Sequence, residues 1–232
     1  MRNLILAVLF LSPAMVFASD DADSDALEPL NRAIFSLNDS LDQMIAEPMA
    51  RAYSNITPDP VEQGIANVFS NLEELTNAAN NGLQGKMGGF VYSTGRFLIN
   101  STIGMAGLFD AADKLFEMPK DEPEDFGQTL AVWGVGEGSY VMIPFLGPSS
   151  IRDAPSRFID TFTNPLRYHS NVSLRNSMTG ASLLSARAGL LGVDDLVSGD
   201  KYVFVRDIYR QRRSYLIKDG AIEDDFGDDD DY

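Results

Sequence analysis

The stretch that most constrains the fold of this chain runs from Glu124 to Asp153 and reads EDFGQTLAVWGVGEGSYVMIPFLGPSSIRD. It is too apolar for an exposed loop and too rich in glycine for an ordinary core helix, and it contains the only tryptophan of the chain. Its acidic start is typical of a helix N-terminus. Three apolar residues then recur at helical spacing, namely Phe126, Leu130 and Trp133. The beginning of this stretch is therefore predicted to be a short helix with one apolar stripe.

Glycines and an apolar run follow this predicted helix. Because glycine adopts backbone conformations that other residues avoid, Gly134, Gly136 and Gly138 are predicted to end the helix in a flexible elbow. The continuous apolar run Tyr140–Leu146 contains Pro144, which favours a buried, extended arm other than a central strand.

Amphipathic helices are predicted over most of the remaining chain. One runs from Pro29 to Ile45 and is stopped by Pro48. A second begins at Pro60 and is broken from Asn77 onward by asparagines and glycines. In the last helix Ile208 is expected to face inward, and Arg206, Arg210, Arg212 and Arg213 to face outward. Period-two alternation is scarce and no linker divides the chain, so one mainly helical domain is predicted. The later predicted helices span Ile151–Phe162, Asn171–Leu190 and Tyr202–Leu216.

The segment Met87–Phe109 is apolar almost all round and is interspersed with glycines. Helices that are hydrophobic on every side lie either in a protein core or against lipid. Glycine spacing such as that of Gly104 and Gly107 lets backbones approach closely in both environments. The residues alone favour a core position and leave a lipid-facing one as the alternative.

The two ends of the chain have signals of their own. Residues 1–18 combine a basic start, a short apolar run and small residues before Ser19, which predicts a signal peptide; an uncleaved anchor is the alternative. Residues 19–26 form an acidic segment, and residues 219–232 are expected to be a disordered acidic tail. The sequence contains no cysteine, so the exported chain is expected to lack both disulfides and the lipid-attachment residue of a bacterial lipoprotein.

Charge and residue inventory exclude several function classes. The net charge of −16 argues against nucleic acid as a partner, because phosphate binding needs a basic surface. His169 is the only histidine, so a zinc site is not expected, and no nucleophile elbow or phosphate loop is found. Arg96, and Arg152 beside Asp153, are expected to tie helices together through hydrogen bonds. The chain is therefore predicted to be no enzyme and to use no metal and no cofactor.

Four segments occur in order along the chain. They are LEPLNRAIFSLNDSLDQ, the pair Asn71-Leu72 with a later Leu83-Gln84-Gly85, RFLINSTIGMAGLFDAA, and DFGQTLAVWGVGEGSYVMIPFLGPSSIRDA. In order and spacing they resemble the MlaA (VacJ) proteins of the Gram-negative outer membrane. The resemblance spans about Leu27 to Leu216, and only the third and fourth segments are specific on their own.

The resemblance implies a fold and a function. The fold would be mainly α, with residues 27–218 forming a ring-like bundle of amphipathic helices in the inner leaflet of the outer membrane, with a central channel and a glycine-rich hairpin. Members of the family remove mislocalised phospholipids from the outer leaflet, which maintains lipid asymmetry. They pass the lipids to the periplasmic carrier MlaC and usually sit beside a trimeric porin. The missing cysteine departs from the family, most of whose members are lipoproteins.

Two sets of residues follow as candidates once the resemblance is accepted. The expected lipid-channel or gate residues are Leu37, Asn38, Phe126, Leu130, Trp133, Gly134, Gly136, Gly138 and Tyr140. The resemblance also favours the lipid-facing alternative for the apolar segment Met87–Phe109. The expected membrane-facing residues are Phe90, Phe97, Ile103, Met105, Leu108 and Phe109.

Two other function classes stay open beside the lipid channel. One is an envelope adaptor or structural protein that sits on a porin and transports no lipid. The other is a soluble periplasmic enzyme. Extraction distinguishes the soluble enzyme from the other classes, because a soluble enzyme leaves with the periplasmic fraction and an embedded ring needs detergent.

Overall fold

The computed structural model describes residues 27–193, 197 and 199–221. The predicted signal peptide, the acidic segment 19–26 and residues 222–232 of the acidic tail lie outside these residues. The described chain is mainly helical, as predicted, with one short antiparallel hairpin. Its helices are α1 Glu28–Leu41, α2 Glu47–Ile56, α3 Asp59–Leu83, α4 Met87–Thr102, α5 Ala111–Phe116, α6 Phe126–Val132, α7 Asp153–Asp160, α8 Val172–Ala188 and α9 Lys201–Ile217.

The first helix does not stop at Pro48. A five-residue π-helix, Asp42–Ala46, joins α1 to α2, and the backbone stays helical through Glu47. Pro48 lies in the first turn of α2. The prediction of a break was wrong because proline is well tolerated in a first turn, and the wider π turn absorbs the change of hydrogen-bond pattern before it.

The second helix also continues further than predicted, because α3 ends at Leu83 and not near Asn77. Its asparagines are buried and hydrogen-bonded: Asn80 Nδ2 donates to Asp160 Oδ1 at 3.1 Å, and Asn81 Nδ2 donates to a carbonyl of its own helix at 3.0 Å. These contacts compensate the low helix propensity of asparagine. The turn comes only at Gly85, whose φ is +79°.

A stripe of polar residues runs along α4, which the sequence suggested to be apolar almost all round. Ser93, Arg96 and Asn100 recur at helical spacing, are buried, and face the neighbouring helix α3 and the segment leading into α5. Most of the large apolar side chains of this segment are exposed, and Phe97 and Ile99 are partly buried. The interpretation of Met87–Phe109 as core was therefore wrong.

The described part of the molecule has a polar interior and an apolar exterior. Buried polar and charged side chains outnumber buried apolar ones, and Arg96, Gln128 and Glu74 are among its largest fully buried side chains. Large apolar side chains are exposed in nearly every helix, for example Ile56 at 81% and Leu183 at 67%. Extensive exposed apolar surface marks a membrane or protein contact. None of the described helices is both long and apolar enough to cross a bilayer.

The hairpin pairs strand β1, Tyr140–Ile143, with strand β2, Gly147–Ser150. Pro144 lies in the turn between them, which agrees with the exclusion of a central strand. The glycines before β1 lie where the backbone requires them, since φ is +86° at Gly134 and +69° at Gly138. Gly136 does not adopt a positive φ.

Side-chain amides of α1 bond to the backbone of this hairpin. Asn31 donates to Tyr140 O at 3.0 Å and accepts from Met142 N at 2.8 Å. About two helical turns later, Asn38 donates to the last carbonyl of β1 at 2.9 Å and accepts from Phe145 N at 2.8 Å. The two amides therefore take the place of a third strand along the edge of β1.

Candidate functional site

A cavity of about 700 Å³ opens between α1, the π-helix, the hairpin, α8 and α9. This volume is within the range typical of ligand sites. Most of the wall is apolar, and one side of α1 contributes side chains at helical spacing. The apolar lining residues are Phe35, Leu41, Ile45, Ala46, Met142, Phe145, Leu146, Pro148, Leu190, Val193 and Val205.

Two ion pairs interrupt this apolar wall. The Arg187 guanidinium donates to both oxygens of Asp42, Nε to Oδ1 at 2.7 Å and Nη2 to Oδ2 at 2.8 Å. Lys201 Nζ donates to Asp39 Oδ1 at 2.7 Å. All four side chains line the cavity, and they are only partly exposed, from 16% for Arg187 to 33% for Lys201. The cavity is therefore apolar over most of its wall and charged at one position.

An aromatic cluster packs beside the cavity, between the hairpin, α1 and α9. Tyr140, Met142 and Tyr202 are buried together, with Phe35 packed against them. The rings of Phe35 and Tyr202 meet edge to face at 5.7 Å, and those of Tyr140 and Tyr202 at 6.3 Å. Such contacts fix the hairpin against α1 and α9.

A buried charge network fixes the foot of the hairpin. Arg213 of α9 lies 2.7 Å from Asp153 of α7 and bonds the N-cap of α6, Asp125, through both terminal nitrogens. Asp153 also accepts from Arg152 Nε at 2.7 Å and from the Tyr209 hydroxyl at 2.8 Å. Arg213 was expected to face outward and is buried. That prediction was wrong because its carboxylate partners come from distant segments.

Burial and charge shift pKa values in this network in opposite directions. Burial raises the pKa of Asp153, but the hydrogen bond from Arg152 and the charge of Arg213 lower it more, so its pKa lies below the usual range. The pKa of Tyr209 is raised by burial and by the neighbouring Asp153 carboxylate. Burial likewise raises the pKa of Glu137, in the segment before β1. The network therefore holds Asp153 ionised and Tyr209 protonated.

A second buried network joins α3 to α4 and α5. Arg96 donates from Nε to Glu74 at 2.7 Å and from Nη2 to Asp110 at 3.0 Å, and the Arg96 and Glu74 side chains are each 2% exposed. Asn100 donates to Asp110 at 3.0 Å. The prediction that Arg96 ties helices together through hydrogen bonds is confirmed. Arg152 bonds its neighbour Asp153 and, at 3.5 Å, the Val135 carbonyl, so for Arg152 no bond to another helix is seen.

The structure brings one of the expected channel residues to the cavity, namely Asn38. Leu37, its neighbour, is 47% exposed and does not line the cavity, and Tyr140 is buried in the aromatic cluster. Phe126 and Trp133 meet edge to face at 5.9 Å, and Trp133 Nε1 donates to Leu83 O at 3.2 Å. The remaining four lie in α6 or the glycine elbow and line no part of this cavity: Leu130, Gly134, Gly136 and Gly138. Their role in a gate stays a prediction.

The expected membrane-facing residues lie on the outer surface of α4 and the turn after it. Five of the six are exposed and Phe97 is partly buried. Ile208 of α9, expected to face inward, is 46% exposed as well. That expectation was wrong because large apolar side chains also cover the outer surface of this molecule, although Tyr202 and Leu216 of the same helix are buried.

Sequence reasoning missed the charged residues of the cavity. Asp39 and Asp42 lie on the predicted Pro29–Ile45 helix and were not singled out, nor were Arg187 and Lys201. One signal was available: Arg187 is the only charged residue between Asn176 and Leu191. An isolated charge in such a segment suggests a partner.

Comparison with known proteins places the chain among relatives. The family described as "MlaA lipoprotein" matches residues 23–216. The protein named "Intermembrane phospholipid transport system lipoprotein MlaA" of Escherichia coli strain K12 is 35% identical over 205 residues, covering 86% of this chain and 81% of that protein. The protein of the same name from Haemophilus influenzae is 26% identical, covering 94% of this chain and 92% of its own.

A solved structure is similar as well. It is described as "Structural basis for maintenance of bacterial outer membrane lipid asymmetry", and its chain superposes with a TM-score of 0.73 at 36% identity. The match covers 84% of this chain and 99% of that chain. The resemblance found from the four sequence segments is thereby confirmed.

Proposed function

Because this chain belongs to the MlaA lipoprotein family, we propose that it takes part in intermembrane phospholipid transport at the outer membrane. It would remove mislocalised phospholipids from the outer leaflet through a channel that includes the cavity beside the hairpin, and so maintain lipid asymmetry. The observation that supports this most is the pairing of an apolar exterior with an apolar cavity that has charges at one position. A phospholipid needs both an apolar and a polar wall.

The finer steps belong to the same proposal. We propose that the lipid is handed to a periplasmic carrier of the MlaC type and that the protein sits beside a porin trimer. Moving a lipid onto a carrier needs a path and a gate and forms no covalent bond, so we propose that the chain is no enzyme. The glycine elbow before β1 is the proposed hinge of the gate.

The anchoring of the chain needs a correction. The family and its named relatives are called lipoproteins, whereas the sequence contains no cysteine. The expectation that this protein departs from its family in lacking a lipid anchor is therefore not supported by its relatives. A single acyl chain gives only marginal binding to a membrane. The exposed apolar side chains therefore add to the membrane affinity.

The proposal is tested by filling the cavity. Ala46 lines the cavity, and Ala33 lies exposed on α1 outside it, so Ala46→Trp and Ala33→Trp add the same side chain at two places. An Escherichia coli strain without its own MlaA would express each variant, and outer-leaflet phospholipid would be measured by its accessibility to an added phospholipase.

We expect wild type and Ala33→Trp to reduce the accessible phospholipid and Ala46→Trp to leave it high at equal protein level. Full activity of Ala46→Trp would contradict passage through this cavity. If the wild-type chain itself removed no phospholipid, the non-transporting adaptor would be the better interpretation.

A further inference from the structure

The two ion pairs of the cavity lie close to each other on one wall. Asp39 and Asp42 are three residues apart, at the end of α1 and the start of the π-helix, and residues at this spacing are neighbours on a helix surface. Their cationic partners come from two other elements, Arg187 from α8 and Lys201 from the first turn of α9. Two negative and two positive groups thus converge on one position of the cavity.

Placing ion pairs in this wall has a cost in free energy. Partly removing charges from water is unfavourable unless the charges are well paired, and apolar residues of similar size are often equally stable. Apart from Asn38, the rest of the wall is apolar. Apolar side chains could line this part of the wall equally well, but two ion pairs line it instead. Their presence points to a ligand with charges of its own.

On this basis we propose that Asp39, Asp42, Arg187 and Lys201 bind the headgroup of a zwitterionic phospholipid, such as phosphatidylethanolamine. This inference rests on the proposed function and specifies the lipid class at the same cavity. The two carboxylates take the headgroup ammonium, and the guanidinium and the lysine ammonium take its phosphate, while the apolar wall holds part of the tails. Arginine binds phosphate bidentately, in the same geometry in which Arg187 now binds Asp42.

Charge balance is the reason for choosing a zwitterion. A headgroup with one positive and one negative group can exchange partners with the Asp42–Arg187 and Asp39–Lys201 pairs, so that each of these charges keeps an opposite charge. Phosphatidylglycerol offers a phosphate without an ammonium, so its binding would leave a carboxylate unpaired in a partly buried place. The net charge of −16 adds to the repulsion of an anionic lipid.

The test measures which lipid the full-length protein extracts. Purified protein is mixed with vesicles that contain equal amounts of phosphatidylethanolamine and phosphatidylglycerol, recovered, and its bound lipids are quantified by mass spectrometry. We expect wild type to bind phosphatidylethanolamine in excess. Equal amounts of the two lipids, or an excess of phosphatidylglycerol, would overturn the proposed headgroup site but leave phospholipid transport standing. Absence of any bound lipid would overturn the transport proposal itself.

Substitutions at the two members of one ion pair are expected to shift the ratio of bound lipids in opposite directions. Asp39→Asn leaves a positive excess in the cavity and is expected to shift the ratio toward phosphatidylglycerol, by about three- to tenfold. Lys201→Met leaves a negative excess and is expected to shift it the other way. Glu47→Gln is the matched control, because Glu47 pairs with Arg51 outside the cavity. A general loosening of the structure would shift the ratio of bound lipids in the same direction for both variants. Such a shift, or an unchanged ratio, would overturn the assignment.

A free phosphate compound could use the same charges without a lipid. O-phosphoethanolamine, added in excess during the extraction, is expected not to displace the bound lipid, because it has no tails for the apolar wall. Displacement at comparable concentrations would assign the site to soluble phosphate esters and overturn the assignment to a lipid headgroup.

Discussion

At the scale of single residues, the Arg96–Glu74 ion pair shows what the polar interior depends on. Both side chains are 2% exposed, and Arg96 also bonds Asp110. Arg96→Met would leave the Glu74 carboxylate buried without its cation, so we expect the free energy of unfolding to fall by about 3–5 kcal/mol. Chemical denaturation in detergent measures this loss.

An exposed ion pair serves as the control for that variant. Arg51→Met breaks the pair with Glu47 on the surface of α2 and is expected to change stability by less than about 1 kcal/mol. The double variant Glu74→Gln/Arg96→Met removes both charges and should lose less than Arg96→Met alone. Equal losses in the single and double variants would show that the buried charge is not the cause.

The Asp153 carboxylate makes a pH-dependent contribution. Its pKa in the folded protein is lowered, so its stabilisation is present above the unfolded value, about 3.9, and is lost as pH falls through the folded pKa. We expect Asp153→Asn to be less stable than wild type by about 2 kcal/mol at pH 7. The difference should shrink below about pH 4.

Guanidinium unfolding of both proteins at pH 7 and at about pH 3 checks this sign. Carboxylates that do not interact with Asp153 or with its arginine partners titrate alike in the two proteins and cancel in the difference. A stability difference that stays constant or grows on acidification would contradict the contribution assigned to the Arg152 and Arg213 partners.

At the scale of elements, the edge of the hairpin is held by asparagine side chains. Asn38→Leu keeps the size of the side chain but removes the acceptor for Phe145 N and the donor to the carbonyl of Ile143. We expect the amide hydrogen of Phe145 to exchange about tenfold faster, since a lost hydrogen bond costs about 1 kcal/mol or more. Hydrogen exchange resolved by residue measures this change.

Asn31→Leu is the counterpart at the other end of the strand. It removes the acceptor for Met142 N, so exchange should increase at Met142 and remain unchanged at Phe145. If both variants accelerated exchange along the whole hairpin, the two amides would not act as separate attachment points.

The sequence predicted which elements form better than it predicted where they end. The periodicity of apolar residues located the helices, because an amphipathic stripe is required whether the apolar side faces a core or a membrane. The ends were misplaced at Pro48 and at Asn77, where a π turn and buried asparagine contacts overrode local propensity. The contact of Asn80 with Asp160 joins segments 80 residues apart and cannot be read from a single stretch.

At the scale of the whole molecule, the exposure of the apolar side chains in Met87–Phe109 was predicted from the resemblance to the family and not from the residue pattern. Residue patterns alone favoured a core position for Met87–Phe109, because soluble proteins bury such segments. In the structure Phe109 and Ile103 are exposed, while Arg96 and Asn100 are buried. The sequence marks Arg187 as an isolated charge but does not identify its partner, since Arg187 and Asp42 are 145 residues apart.

The central claim is that phospholipid enters the cavity beside the hairpin. A photo-crosslinking amino acid at Leu190, in the cavity wall, and one at Ile103, on the outer surface, would be combined with phospholipid-containing membranes. We expect both positions to label phospholipid, and Ala46→Trp to abolish the label at Leu190 while that at Ile103 remains. Absence of label at Leu190, or a label there that survives Ala46→Trp, would contradict the account.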